Sequence, residues 1–193
     1  MLKHCDAVIL AGGRASRMGG CNKLLQCFDG EQRQLEKLCH SLKPQVQRLW
    51  INSHRDNEIY QAFDRSIGIF SDVEKGFLGA MMGMMSAWLY SRQDWILFVP
   101  CDLYQVPDKL LFHFAQQMTD EKTQVCYAEI NDVALYPLCL MHRSASTILA
   151  QEISAQQRSL YRCFKKLNSC AAKFQLNPQC PHSINSWSEL AAI

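Results

Sequence analysis

A short apolar run, Ala7-Val8-Ile9-Leu10, leads directly into Ala11-Gly12-Gly13, and the glycine-rich segment that follows closes on Lys23. An uninterrupted apolar run of this length is the mark of a strand buried on both faces, and the paired glycines end it where the chain must turn. Beyond the loop, Leu35, Leu38 and Leu42 recur at helical spacing within Glu31–Leu42. The opening of the chain is therefore a strand, a glycine loop and a helix. Glycine lets the backbone approach an anion closely and adopt φ > 0 without steric cost, while Arg14, Arg17 and Lys23 add positive charge to the same loop. Such a loop suits a triphosphate. It is neither a Walker A loop, because Leu24 follows the lysine where Ser or Thr would hold Mg²⁺, nor a Gly-x-Gly-x-x-Gly fingerprint, because the glycine spacing is wrong.

Strand-like and helix-like segments alternate along the rest of the chain. Strands are predicted at Asp6–Leu10, Arg48–Asn52, Ile67–Phe70, Trp95–Pro100, Gln124–Glu129 and Leu138–Met141. Helices are predicted at Glu31–Leu42, Asn57–Phe63, Leu78–Tyr90, Lys109–Met118, Arg143–Ala150 and Leu160–Leu167. This order implies an α/β fold with a mostly parallel central sheet. A chain of 193 residues with 48% hydrophobic content buries one sizeable core, so one domain spanning 1–193 is expected. Ligands of such sheets bind beyond the carboxyl ends of the strands. The polar residues expected there are those of the Gly12 loop, Asn52, Asp72 and Asp102.

Asp102 ends the apolar run Trp95-Ile96-Leu97-Phe98-Val99 in the sequence Pro100-Cys101-Asp102. A triphosphate is handled with Mg²⁺, which takes one or two carboxylates plus phosphate oxygens and water, so one aspartate there suffices. Read alone, Asp102, Asn52 and Asp72 are equally ordinary turn formers. Met81, Met82, Met84 and Met85 read as core filler.

Several functions are disfavoured. A net charge of +2 without a Lys/Arg block argues against nucleic acid, and no apolar stretch approaches a membrane span. The ten cysteines include no Cys-x-x-Cys pair, so a zinc site is not expected, and the polar stretch Met1 to Asp6 points to a reducing cytoplasm rather than secretion. The six histidines show neither metal nor triad spacing.

Leu10-Ala11-Gly12-Gly13, then Arg17-Met18-Gly19, then Lys23, together with Pro100-Cys101-Asp102, resembles the molybdenum cofactor guanylyltransferase family of nucleotidyltransferases. The resemblance implies a Rossmann-like, three-layer nucleotidyltransferase fold and the transfer of GMP from GTP to the terminal phosphate of molybdopterin, with release of pyrophosphate. It also implies Lys23, Arg17 and Asp102 as catalytic residues, and Leu10, Ala11, Gly12, Gly13, Lys23, Asn52, Asp72 and Asp102 as the GTP site. Asp102 would hold Mg²⁺, and Arg158 and Asn185 would face the acceptor, since a planar guanidinium suits a phosphate or a pterin. Partners would be GTP and molybdopterin, with transient contact to molybdoenzymes or cofactor-synthesis proteins, and neither nucleic acid nor membrane.

The chain departs from the family pattern twice. Asn22 stands where many relatives carry aspartate, which removes a partner for Lys23 or Arg17, and Gly76-Phe77-Leu78-Gly79-Ala80 replaces Gly-Pro-Leu-Ala-Gly. Tyr136-Pro137-Leu138 matches the opening of a strand that returns to the cleft, and Ser183–Leu190 resembles a closing strand and its turn into a last helix, with Ser186 and Glu189 as a capping box. The alternatives are a cytidylyl- or sugar-phosphate nucleotidyltransferase, or a non-catalytic relative that binds nucleotide or cofactor.

Overall fold

The computed structural model describes residues 4–13, 18–74, 76 and 79–191. Seven strands form one sheet: β1 (Cys5–Leu10), β2 (Leu49–Asn52), β3 (Gly68–Phe70), β4 (Trp95–Pro100), β5 (Val125–Ile130), β6 (Val133–His142) and β7 (Ser169–Phe174), in the order β3-β2-β1-β4-β6-β5-β7. Every neighbouring pair is parallel except the two made by β6, which runs against both β4 and β5.

Alternation along the central strands divides the core. Ala7, Ile9, Leu97, Val99, Leu138 and Leu140 face one side, and Val8, Leu10, Ile96, Phe98, Cys139 and Met141 face the other. The first side is covered by α1 (Gln34–Leu42), α2 (Asn57–Phe63) and α4 (Leu110–Gln117), through residues such as Leu38, Tyr60 and Phe114. The second is covered by α3 (Ala80–Ala87), α5 (Ser146–Ser154) and α6 (Leu160–Phe164), through Met81, Met84, Leu149 and Phe164. Three layers result, with the apolar strands buried on both faces. The methionines of α3 are core filler as expected, with Met81, Met82 and Met84 buried.

Local chemistry moves several boundaries. The helix expected from Glu31 starts at Gln34, because the Asp29 carboxylate accepts from the Glu31 and Gln32 amides and holds a turn there. α3 ends at Ala87, and α5 begins only at Ser146, after a 3-10 turn over Arg143–Ala145. The strand read as Leu138–Met141 extends back to Val133, where Asn131 and Asp132, both at positive φ, close a two-residue hairpin with β5. The closing strand expected around Ser183 is absent among the described residues: that segment makes only an isolated bridge, Leu103 to Ser183, and the last strand is β7, which periodicity did not reveal. The last helix, α7 (Trp187–Ala191), does form, and Ser186 Oγ accepts from the Glu189 amide at 3.2 Å. The Glu189 carboxylate reaches back one residue further than a capping box, to the Asn185 amide at 2.7 Å. No described helix is long and apolar enough to cross a membrane.

Candidate active site

The carboxyl ends of β1, β2 and β4 open into a cleft of about 460 Å³. Leu10, Ala11, Gly12, Gly13, Asn22 and Lys23 line it from the first loop, Asn52 and Arg55 from the end of β2, Asp72 from the end of β3, and Pro100, Cys101 and Asp102 from the end of β4. Gly79 and Ala80 close one side at the start of α3, and Pro137 the other. The opening beside Pro137 has a structural cause. β6 pairs with β4 only as far as Phe98–Cys139, and its register with β5 jumps so that Tyr136, Pro137 and Leu138 have no partner there. A proline without an N–H is at home in such a bulge, and the strands part.

Lys23 and Asp102, 79 residues apart in sequence, meet at the centre. Lys23 Nζ donates to Asp102 Oδ2 at 2.8 Å, to the Ile184 carbonyl at 2.8 Å and to Asn185 Oδ1 at 3.3 Å. The Ile184 amide in turn donates to the Asp102 carbonyl at 2.9 Å, and Ile184 is buried with Met18 and Phe28. Asn185, expected to face the acceptor, is one of the three groups that accept from Lys23.

Asn52 and Asp72 form a second cluster. The Asn52 amide donates to Asp72 Oδ1 at 2.9 Å, and His54 Nε2 lies 3.0 Å from Asp72 Oδ2. Two glycines make room for it: a Cβ on Gly12 would lie 2.9 Å from Asn52 Oδ1, and one on Gly83 in α3 only 2.5 Å from the same atom. Gly83 is hidden in the sequence within the methionine-rich helix, whereas His54 and Arg55 lie two and three residues past the end of β2, a position that could have singled them out. Arg55 donates to the Gly20 carbonyl, and to that of Cys21 at 3.0 Å, bracing the far end of the glycine loop.

Asn22 explains its own departure from the family pattern. Its side-chain amide donates to Asp56 Oδ2 at 2.6 Å and to the Tyr60 hydroxyl at 2.7 Å, while its oxygen accepts from the Leu24 amide at 3.0 Å. An aspartate here would set a second carboxylate against Asp56. Asn22 therefore partners α2 rather than Lys23.

Arg17 lies outside the described residues, as do Phe77 and Leu78. Arg158 is exposed in the loop between α5 and α6 and is not among the cleft-lining residues. The Cys101 thiol, in the cleft beside Asp102, is pushed up to about 12, chiefly by burial and then by the neighbouring carboxylate, so it stays protonated and is no nucleophile. Among the described residues no group of three or more His, Cys, Asp or Glu side chains is placed to hold a metal.

Residues 7–171 match the model of the MobA-like NTP transferase domain. The chain belongs to that family. It is therefore a nucleotidyltransferase, and a curated relative, a molybdenum cofactor guanylyltransferase of Acinetobacter baumannii, is 47% identical over 96% of this chain and 88% of its own. A similar solved structure is the molybdopterin-guanine dinucleotide biosynthesis protein A of Archaeoglobus fulgidus, with a TM-score of 0.73 at 16% identity, covering 96% of this chain and 95% of that one. A Mycobacterium tuberculosis protein solved as a complex with manganese matches with a TM-score of 0.68 at 14% identity, over 98% of this chain and 97% of its own. The three-layer fold is thus that of the nucleotidyltransferases.

Proposed function

We propose that residues 1–193 act as one nucleotidyltransferase domain that transfers GMP from GTP to the terminal phosphate of molybdopterin. The observation that carries this reading is the meeting of Lys23 and Asp102 beside the Gly12-Gly13 backbone, in a chain 47% identical to a molybdenum cofactor guanylyltransferase. A phosphate oxygen of the acceptor bonds to the α-phosphorus of GTP. The bond from that phosphorus to the bridging oxygen breaks, and its electron pair leaves with pyrophosphate. The attacking oxygen is already anionic, so alignment and charge neutralisation suffice and no general base is required.

The roles of the residues follow from their chemistry. Lys23, with Arg17 and the Gly12 and Gly13 amides, holds the β- and γ-phosphates and neutralises charge on the departing pyrophosphate. Leu10 and Ala11 lead the backbone to the nucleotide, and the Asn52–Asp72 pair reads base or ribose, for which an amide and a carboxylate supply both donors and acceptors. Arg158 and Asn185 serve the acceptor side. Asp102 is a sound single anchor for Mg²⁺: the other carboxylate that lines the cleft among the described residues, Asp72, has both oxygens engaged by Asn52 and His54. When bound, Mg²⁺ polarises phosphate oxygens and offsets their charge. Lys23 moves off Asp102 as the nucleotide takes over its ammonium.

Calorimetric titration with GTP, with and without Mg²⁺ and with CTP and ATP as competitors, tests the nucleotide half of this reading, and pyrophosphate release in the presence of molybdopterin tests the acceptor half. Mg²⁺-dependent GTP binding that excludes both competitors, followed by release, is the expected result. Preference for CTP, or binding without release, overturns it.

A further inference from the structure

The turn between β2 and α2 grips the end of the glycine loop at three successive residues. Arg55 donates to the Gly20 and Cys21 carbonyls. Asp56 and Tyr60 accept from the Asn22 side chain at 2.6 and 2.7 Å. Asn22 caps the 3-10 turn Lys23–Leu25, so whatever fixes its side chain fixes the backbone that carries the Lys23 ammonium. Two features show that this grip is built into the fold. Asp56 adopts a left-handed conformation (φ 57°), which aspartate tolerates better than most residues and which orients its carboxylate at the turn. Tyr60 is fully buried, anchored in the core, and burial also keeps its hydroxyl protonated.

We infer that Asp56 is a positioning residue for the nucleotidyl transfer, acting through Asn22 to set the Lys23 ammonium on the triphosphate. The inference rests on the proposed role of Lys23. Asp56 has no need to touch substrate. Its carboxylate orders an amide whose other end caps the turn, and a charge-assisted hydrogen bond of 2.6 Å is among the stronger contacts a side chain makes. A misplaced lysine weakens both the hold on the β- and γ-phosphates and the neutralisation of the departing pyrophosphate, so KM for GTP rises and kcat falls together, while the KM of the acceptor is spared.

The test uses the full chain and four variants: Asp56→Gly, Asp56→Asn, Asn22→Asp and the double variant Asn22→Asp/Asp56→Asn. Asp56→Gly removes the carboxylate and relieves the left-handed backbone, so the loss of the hydrogen bond is partly offset and the variant folds, while KM for GTP rises about tenfold. Asp56→Asn keeps an acceptor oxygen and raises KM about threefold. Asn22→Asp sets two carboxylates together and raises KM more than tenfold; the double variant restores an amide–carboxylate pair with its sense reversed and returns KM to within about threefold of the parent. Across the four, kcat falls in the same order as KM for GTP rises, and the KM of the acceptor changes less than about twofold. A parent-like KM in Asp56→Gly, or a double variant no better than Asn22→Asp, overturns the inference. Amide exchange at Leu24 and Leu25, measured without ligand, reads the same grip independently of any activity. Exchange about tenfold faster in Asp56→Gly supports it, unchanged exchange refutes it, and both hold even if the parent proves not to use GTP.

Discussion

The two halves of the cleft are built differently. On the side of β1, β2 and β3, all parallel, side chains hold one another in a dense polar lattice: Asn52 with Asp72, Asp72 with His54, Asn22 with Asp56 and Tyr60, Arg55 with the loop carbonyls. On the side of β4 and β6, an antiparallel pair comes apart, and the rim is a proline in a bulge, with Arg158 exposed at a distance in sequence. A parallel sheet delivers strand ends to one edge, where short motifs next to those ends converge. An antiparallel strand delivers its beginning there instead. The first half is thus fixed by its own side-chain hydrogen bonds, and the second is left open where strand pairing stops.

This contrast can be broken, or sharpened, by substitution. The largest effect is expected where the halves meet: Lys23→Ala and Asp102→Ala each lower GMP transfer by about 10²–10³-fold, read as initial rates of pyrophosphate release, while circular dichroism remains parental. Near-normal turnover in either variant removes the proposed mechanism. Next, Gly83→Ala pushes a methyl group toward Asn52 Oδ1, which would lie 2.5 Å from it, and should raise KM for GTP about tenfold without altering the KM of the acceptor. Arg158→Ala should do the reverse, raising the KM of the acceptor about threefold and sparing GTP. If both variants shift the same constant, the division into halves is wrong.

The smallest effect is spread over the buried thiols rather than confined to one half. Burial holds the Cys5 and Cys101 thiols at about 12 and those of Cys39 and Cys163 at about 11, against an ordinary value near 9. Between those values the folded protein binds more protons than the unfolded chain, so stability is full below pH 9 and falls as pH rises toward 12. Denaturant midpoints should be lower at pH 10 than at pH 8.

The same contrast governs what could be read from the sequence. Asn52, Asp72 and Asp102 are legible because each stands at or within two residues of the end of an apolar strand, and the Gly12 loop because glycines, charges and Lys23 are close in sequence. Asn57–Phe63 and Trp95–Pro100 match their elements to the residue. The grip of Asp56 on Asn22, the room that Gly83 makes for Asn52, and the arrival of Ile184 and Asn185 at Lys23 join residues far apart in sequence, and no local pattern encodes them. β7, Ser-Cys-Ala-Ala-Lys-Phe, is stranded by its pairing with β5 rather than by its own alternation, which is why the closing strand was expected too late in the chain.

The three acceptors around Lys23 also set a timetable for biosynthesis. The lysine emerges from the ribosome first, its carboxylate partner 79 residues later, and the Ile184 carbonyl and Asn185 side chain 161 and 162 residues later. Contacts of such long sequence separation form late. Until Ile184 and Asn185 arrive, a nascent chain that already carries β1 to β4 offers its lysine only the Asp102 partner.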